Sequence, residues 1–240
     1  MLLKCNSYVP IVPFICVSVS GSTPKPGEVS KAHAGVLFLD ELPEYKRQAL
    51  EVLRQPLESG VVHIARAADT LSFPARFLLI AAMNPCPCGY LGHPTQACSC
   101  SDLQVRRYRE RISGPLLDRF DLRIHVPPVE KEALMGMGEG ESSAVVAKRV
   151  ADARSMQYAR QGDGVVNGQL SPTMLEKVAR PDAAGRKLLD LAMSRFALSA
   201  RSYHRLLKVS RTIADLAREP AVLSEHIAEA LQYRGDASHG

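Results

Sequence analysis

The sequence predicts a mixed α/β domain built on a parallel sheet, followed by a smaller domain made only of helices. Gly35-Val36-Leu37-Phe38-Leu39 runs straight into Asp40-Glu41, the pattern of a buried parallel strand that ends at the functional edge of an α/β sheet. Strand-like and helical runs alternate before about residue 128, whereas the pattern is helical throughout from about residue 142. Three expected sheet strands are each flanked by a polar signature: Asp40-Glu41, then Asn84, then Arg119 just ahead of the last strand.

With 240 residues, 46% hydrophobic content and no Trp, the chain can bury one sizeable core and a second small one. A net charge of +5 permits contact with a polyanion without demanding it. The apolar run Val9 to Val19 is interrupted by Pro10 and Pro13 and is too short to span a bilayer as a helix, so no membrane partner is expected. Its likeness to a leader peptide is set aside in favour of a cytosolic chain. Four of the six cysteines crowd into fifteen residues, a local cluster rather than a chain-wide disulfide framework.

Residues 1–22 fit nothing downstream, although Tyr8 to Ser20 is β-rich in composition. Residues 24–28 read as a turn and 28–34 as a short helix or loop leading into the strand at Gly35. Leu42-Pro43 begins a helix whose Leu50, Leu53 and Leu57 recur at helical spacing, ended by Pro56 and Gly60. Residues 61–65 and 70–73 form a hairpin. Arg76 to Met83 is a second buried strand that ends at Asn84-Pro85. The Cys-rich loop and a helix over about 102–112 follow, and residues 113–120 turn into a third strand, Asp121 to Val126. Pro127-Pro128 closes the first domain, and the Gly- and Glu-rich residues 129–141 form a linker. Helices are predicted over about 142–160, 171–179, 182–197, 200–218 and 224–234, with Ser171-Pro172 and Ser224 as N-terminal caps.

Adjacent acids beyond a buried strand suit phosphoryl-transfer chemistry. The first, Asp40, would hold Mg²⁺ through water and the second, Glu41, would polarise the attacking water. The plainer reading is a core strand followed by a helix whose first turn carries acids to suit its dipole. Asn84 at the end of a neighbouring strand is placed to orient that water, or is a turn former before Pro85. Arg119 is a surface charge, or pairs with Asp118 or Asp121, or is a guanidinium that reaches into a neighbouring subunit's site. Cys86-Pro87-Cys88, nine residues, then Cys98-Ser99-Cys100 can close a tetrahedral Zn²⁺ site, with His93 as a substitute ligand and reduced thiols as the alternative.

On Lys25-Pro26-Gly27-Glu28, Gly35 to Glu44, Ala81-Ala82-Met83-Asn84-Pro85 and Ser113 to Asp121, the chain resembles the AAA+ module of magnesium-chelatase-like bacterial proteins, the ComM/YifB group. Residues from about 145 to 234 resemble that family's C-terminal helical domain. The resemblance implies a partial AAA+ P-loop NTPase sheet over 23–128 and a helical lid domain over 142–240. It also implies that Asp40 and Glu41 are the Walker B acids, Asn84 is sensor 1, Arg119 is the arginine finger, and Arg201 or Arg205 is sensor 2. The implied cofactors are ATP and Mg²⁺. The implied assembly is a cytoplasmic hexameric ring, a helicase that drives branch migration during natural transformation. The hairpin before sensor 1 would then offer His63 and Arg66 to DNA in a central pore.

One feature of that family is missing from these residues: no Gly-x-x-x-x-Gly-Lys-Ser/Thr loop occurs among them. The chain is therefore expected to be the C-terminal part of a longer ATPase, to bind ATP weakly by itself, and to lack the Walker A strand of the sheet. Phe14 to Ser20 could be drawn into that gap as a surrogate strand. Two alternatives are a non-catalytic remnant that docks with intact subunits, and a metal-chelatase ATPase subunit.

Overall fold

The computed structural model describes residues 18–19, 25–65, 70–128, 140–196 and 198–234. They divide into two compact units, one ending at Phe120 and one beginning at Asp121.

The first unit is α/β. Its centre is a parallel pair, β3 (Val36–Leu39) and β6 (Leu78–Ala81), in the register Val36↔Leu78 to Leu39↔Ala81. The ladder outruns the strands: Leu78 N–H donates to the Gly35 carbonyl at 3.0 Å, Ala82 N–H to Leu39 at 2.9 Å, and Leu42 N–H to Ala82 at 2.9 Å. Leu37 and Leu39 point to one face and are buried with Val29, Leu42, Leu50, Leu53, Val62 and Leu116. The unbroken apolar run predicts burial on both faces. The structure instead alternates, leaving Leu78 59% and Ile80 44% exposed, because the described residues cover one face of the pair only. α1 (Glu28–Lys31) precedes β3 and contributes Val29 to this core.

The single helix expected from Leu42 is three pieces. Leu42–Glu44 is a 3₁₀ turn that accommodates Pro43 near its start, and Tyr45 then takes an extended backbone (ψ 146°) that stops it. α2 (Arg47–Val52) and α3 (Arg54–Ser59) follow. Pro56 falls in the first turn of α3, where no amide donor is needed, so the proline restarts a helix rather than ending one. Gly60 closes α3 at φ 69°.

β4 (Val61–Ala65) and β5 (Thr70–Pro74) form the expected hairpin, antiparallel from Val61↔Pro74 to Ala65↔Thr70. α4 (Asp102–Arg109) begins in a capping box in which Ser101 and Gln104 satisfy each other's backbone amides, and α5 (Gly114–Leu117) is capped by Ser113. β1 (Ser18–Val19) pairs antiparallel with β2 (Lys25–Pro26) in a sheet of its own, separate from β3 and β6. The described part of the proposed surrogate strand thus does not join the parallel sheet; residues 14–17 and 20 lie outside the described residues.

The third strand expected at Asp121 to Val126 is not formed. Those residues are irregular, Arg123 N–H donates to the Tyr233 carbonyl at 2.6 Å, and Ile124 and Val126 are 69% and 78% exposed. A strand is stabilised by its ladder, and among the described residues none pairs with this segment.

The second unit is helical: α6 (Ser143–Gln161), α7 (Pro172–Val178), α8 (Ala183–Arg195), α9 (Ala200–Leu216) and α10 (Ser224–Gln232). Ser142, Ser171, Asp182 and Ser199 each accept an amide in the first turn of the following helix. α9 is central, packing against α6, α7 and α10, and its Leu206, Leu207 and Ala214 share one buried core with Leu175, Leu189 and Ile227. Inside it lies a polar knot. The Asp215 carboxylate receives both terminal nitrogens of Arg160 at 2.8 Å, the Asn167 amide at 2.8 Å, and Arg211 Nε at 3.1 Å. Arg211 is fully buried and also donates to the carbonyls of Glu219 and Pro220.

Candidate functional site

The parallel register fixes the site. Because Leu39 faces Ala81 and the ladder continues through Ala82 and Leu42, Asp40 lies beside Ala82, and Asn84 follows two residues on at the same edge. The sequence-predicted acids and the asparagine thus share the carboxyl ends of two adjacent strands, where open α/β sheets place ligands. Glu41 is exposed and its backbone is left-handed (φ 50°, ψ 46°), with its N–H donated to Asp40 Oδ1 at 2.9 Å. A non-glycine residue in that region is strained, and such strain concentrates where a side chain must be aimed.

Two tyrosines that sequence reasoning missed complete the edge. Burial pushes the Tyr45 phenol up, and the negative charges of Asp40 and Glu41 push it further. Burial likewise raises Tyr108, assisted by Glu44 and Glu41 and opposed by a backbone hydrogen bond from Asn84. Tyr45 lies four residues past Glu41, a spacing that could have flagged it; Tyr108 sits on α4 and gave no such signal. Beside them a shallow crevice is lined by Glu44, Pro87, Gln104, Arg107, Tyr108 and Arg111, with Arg111 bridging Glu44 at 2.9 Å and the Pro43 carbonyl at 3.1 Å.

Arg119 is turned into its own unit. It is 9% exposed, with one terminal nitrogen on Glu58 Oε1 at 2.5 Å and the other on the Pro115 carbonyl. In the second unit, Arg201 is exposed on the first turn of α9, and Arg205, one turn on, is half-buried with its Nη1 3.2 Å from Asp121. His63 is exposed on β4, and its Nδ1 meets the hydroxyl of its cross-strand partner Ser72 at 2.8 Å. Arg66 lies outside the described residues.

The four clustered cysteines do converge. The sulfurs of Cys86, Cys88, Cys98 and Cys100 all lie within 4.8 Å of one another, a group that could bind a metal, and His93 is not among them. His93 Nδ1 instead accepts the amides of Thr95 and Gln96 at 3.3 and 3.1 Å. Backbone amides of Tyr90 and Ser99 favour the Cys88 thiolate and draw that group down to about 5. At Cys98 the Cys100 amide favours the thiolate, but burial and the neighbouring sulfurs win and push it up to about 12. One sulfur is acidified at another's expense, as expected of thiols sharing protons at close range.

The chain is similar to known proteins over most of its length. The family described as magnesium chelatase, subunit ChlI, matches residues 15–134, and the corresponding C-terminal family matches residues 140–234. The competence protein ComM of Haemophilus influenzae is 48% identical over 89% of this chain and 42% of its own length. The uncharacterized protein YifB of Salmonella typhimurium is 44% identical, and that of Escherichia coli 43%, over the same shares. The chain spans about two fifths of the length of these curated relatives, 42% in each case. Both halves of the chain match in order, so it belongs to the magnesium chelatase family.

Proposed function

We propose that this chain supplies the acidic, sensor and finger residues of an AAA+ ATP site, within a cytoplasmic ring-forming motor that acts on DNA. The support is the shared strand edge that carries Asp40, Glu41 and Asn84 together. Asp40 and Glu41 fit the metal end of a Mg²⁺-nucleotide, since two carboxylate groups at an open edge suit a hard cation. A bound Mg²⁺-ATP supplies the phosphoryl group to be transferred. Asp40 would hold the metal's water shell, Glu41 would take the proton of the attacking water, and Asn84 would orient that water.

Arg119 would act in a neighbouring copy, which requires it to exchange Glu58 for a phosphate oxygen. Arg201 or Arg205 would serve as the second sensor, from a helical lid over 142–240 joined to the 23–128 core by residues 129–141. His63 and Arg66 would meet DNA from the hairpin. Branch migration during natural transformation is the process that the family resemblance implies, and one relative bears the name competence protein. No helix among the described residues is long and apolar enough to cross a membrane.

These 240 residues contain no loop of the Gly-Lys-Ser/Thr type, so the cradle for the β- and γ-phosphates is not among them. The 240-residue form is expected to hydrolyse ATP no faster than background. A form carrying a phosphate-binding loop ahead of residue 23 should hydrolyse it and lose about 10²-fold or more on Glu41→Gln. Hydrolysis in that form that is indifferent to Glu41→Gln and Asp40→Ala would remove the assignment.

A further inference from the structure

We infer that Cys86, Cys88, Cys98 and Cys100 form a structural zinc site that fastens the loop following Asn84 to the start of α4. A Zn²⁺ ion with four thiolates at about 2.3 Å sets its sulfurs roughly 3.8 Å apart. The observed separations are 3.4 Å for Cys86–Cys88, 3.5 Å for Cys88–Cys98 and 3.7 Å for Cys86–Cys98, and Cys100 stays within 4.8 Å of all three. Disulfides would need sulfurs about 2.05 Å apart, and all four cysteines are free.

Backbone amide donors surround the sulfurs. Cys86 is fully buried, yet the cluster is fed by amide donors: Cys100 N–H reaches Cys98 Sγ at 3.4 Å, and the amides of Tyr90 and Ser99 point to Cys88. Amide donors of this kind offset the net negative charge of a four-thiolate zinc centre and orient its sulfurs. Gly89, at φ 82°, turns the chain directly after Cys88 and returns its N–H to the Cys86 carbonyl at 3.0 Å, bringing the first pair onto one side.

The position of the cluster gives the metal its role. Residues 85–100 contain no helix or strand, a length that calls for an internal staple. Cys86 lies two residues past Asn84, and Cys100 immediately precedes Ser101, the N-cap of α4. From α4, Arg109 Nε reaches back to the Pro85 carbonyl at 3.4 Å. Four sulfur ligands leave no open coordination position, so the ion is a clamp and does no chemistry on a substrate.

The full 240-residue chain, purified without chelator, tests this by elemental analysis and by exchange with Co²⁺. One equivalent of zinc per chain and the strong visible bands of tetrahedral cobalt thiolate are expected, with His93→Ala leaving both unchanged and Cys98→Ser losing the four-sulfur spectrum. Because Cys98→Ser can fail to fold, the cobalt spectrum of the unaltered chain stands as the independent measurement. Less than half an equivalent of zinc together with all six cysteines of the chain titrating freely would overturn the inference. So would disulfides found by mass spectrometry, or a cobalt spectrum showing nitrogen ligation.

Discussion

Replacing Asp215 by asparagine preserves shape and removes one charge from the polar knot of the helical unit. The carboxylate there faces only donors: two nitrogens of Arg160, the amide of Asn167, and Arg211. Either orientation of an asparagine amide turns a donor towards at least one guanidinium, and Arg211, fully buried, keeps its charge without a counter-ion. Two charge-assisted bonds at about 1.5–3 kcal/mol each are forfeited. That agrees with the roughly 3–5 kcal/mol typical of breaking a buried ion pair on one side.

For a unit of this size that loss lowers the Tm by on the order of 10–20 °C, read from far-ultraviolet circular dichroism of the 240-residue chain. Acid should erase the difference. Burial pushes the Asp215 carboxyl up, but the Arg160 and Asn167 hydrogen bonds and the Arg211 charge outweigh it and leave the group below its ordinary value. A depressed carboxylate stabilises above its unfolded value and loses that contribution as pH falls through the folded one. The wild-type advantage should therefore be whole at neutral pH, begin to decline only below about pH 4, and be gone once the pH has fallen past the depressed folded value. A neutral-pH shift under about 4 °C, or one that persists undiminished in acid, would refute the reasoning.

Leu53→Ala, at a side chain with no exposure in the first core, should cost about 2–5 kcal/mol in denaturant unfolding. Ser101→Ala removes half of a capping box and should lower stability by about 1 kcal/mol, with amide exchange accelerated in the first turn of α4. Gly60→Ala must hold alanine at φ 69° with its Cβ 2.6 Å from Arg76 Cγ, so a loss of about 1 kcal/mol is expected by thermal melting. Truncating the arginine as well, in Gly60→Ala/Arg76→Ala, should recover only the part due to crowding.

Local signals carried the helical unit well. Ser171-Pro172 marked the start of α7, and the long apolar spacings of α6 and α9 were legible within a residue or two of their observed bounds. The Asp40-Glu41 strand and the hairpin were equally plain, because strand ends and turn residues are written locally. What stayed hidden needed partners distant in sequence. Asp121 to Val126 has the composition of a strand, but composition supplies no neighbour to bond with. The Arg160–Asp215 pairing spans 55 residues, and nothing in either helix announces the other. Arg119, expected to reach outward, meets Glu58, 61 residues away, a carboxylate whose nearness no periodicity could show. The break at Tyr45 likewise followed from backbone geometry at the acidic edge rather than from propensity.

The left-handed backbone at Glu41 sets comfort against the chemistry proposed for that residue. Glycine would occupy that turn more easily than any residue bearing a side chain, so a selection for heat resistance alone would drift towards discarding the carboxylate. Variants gathered in that way would be sturdier molecules without the group proposed to draw a proton from water, and screening them for turnover as well as for melting would reveal the trade.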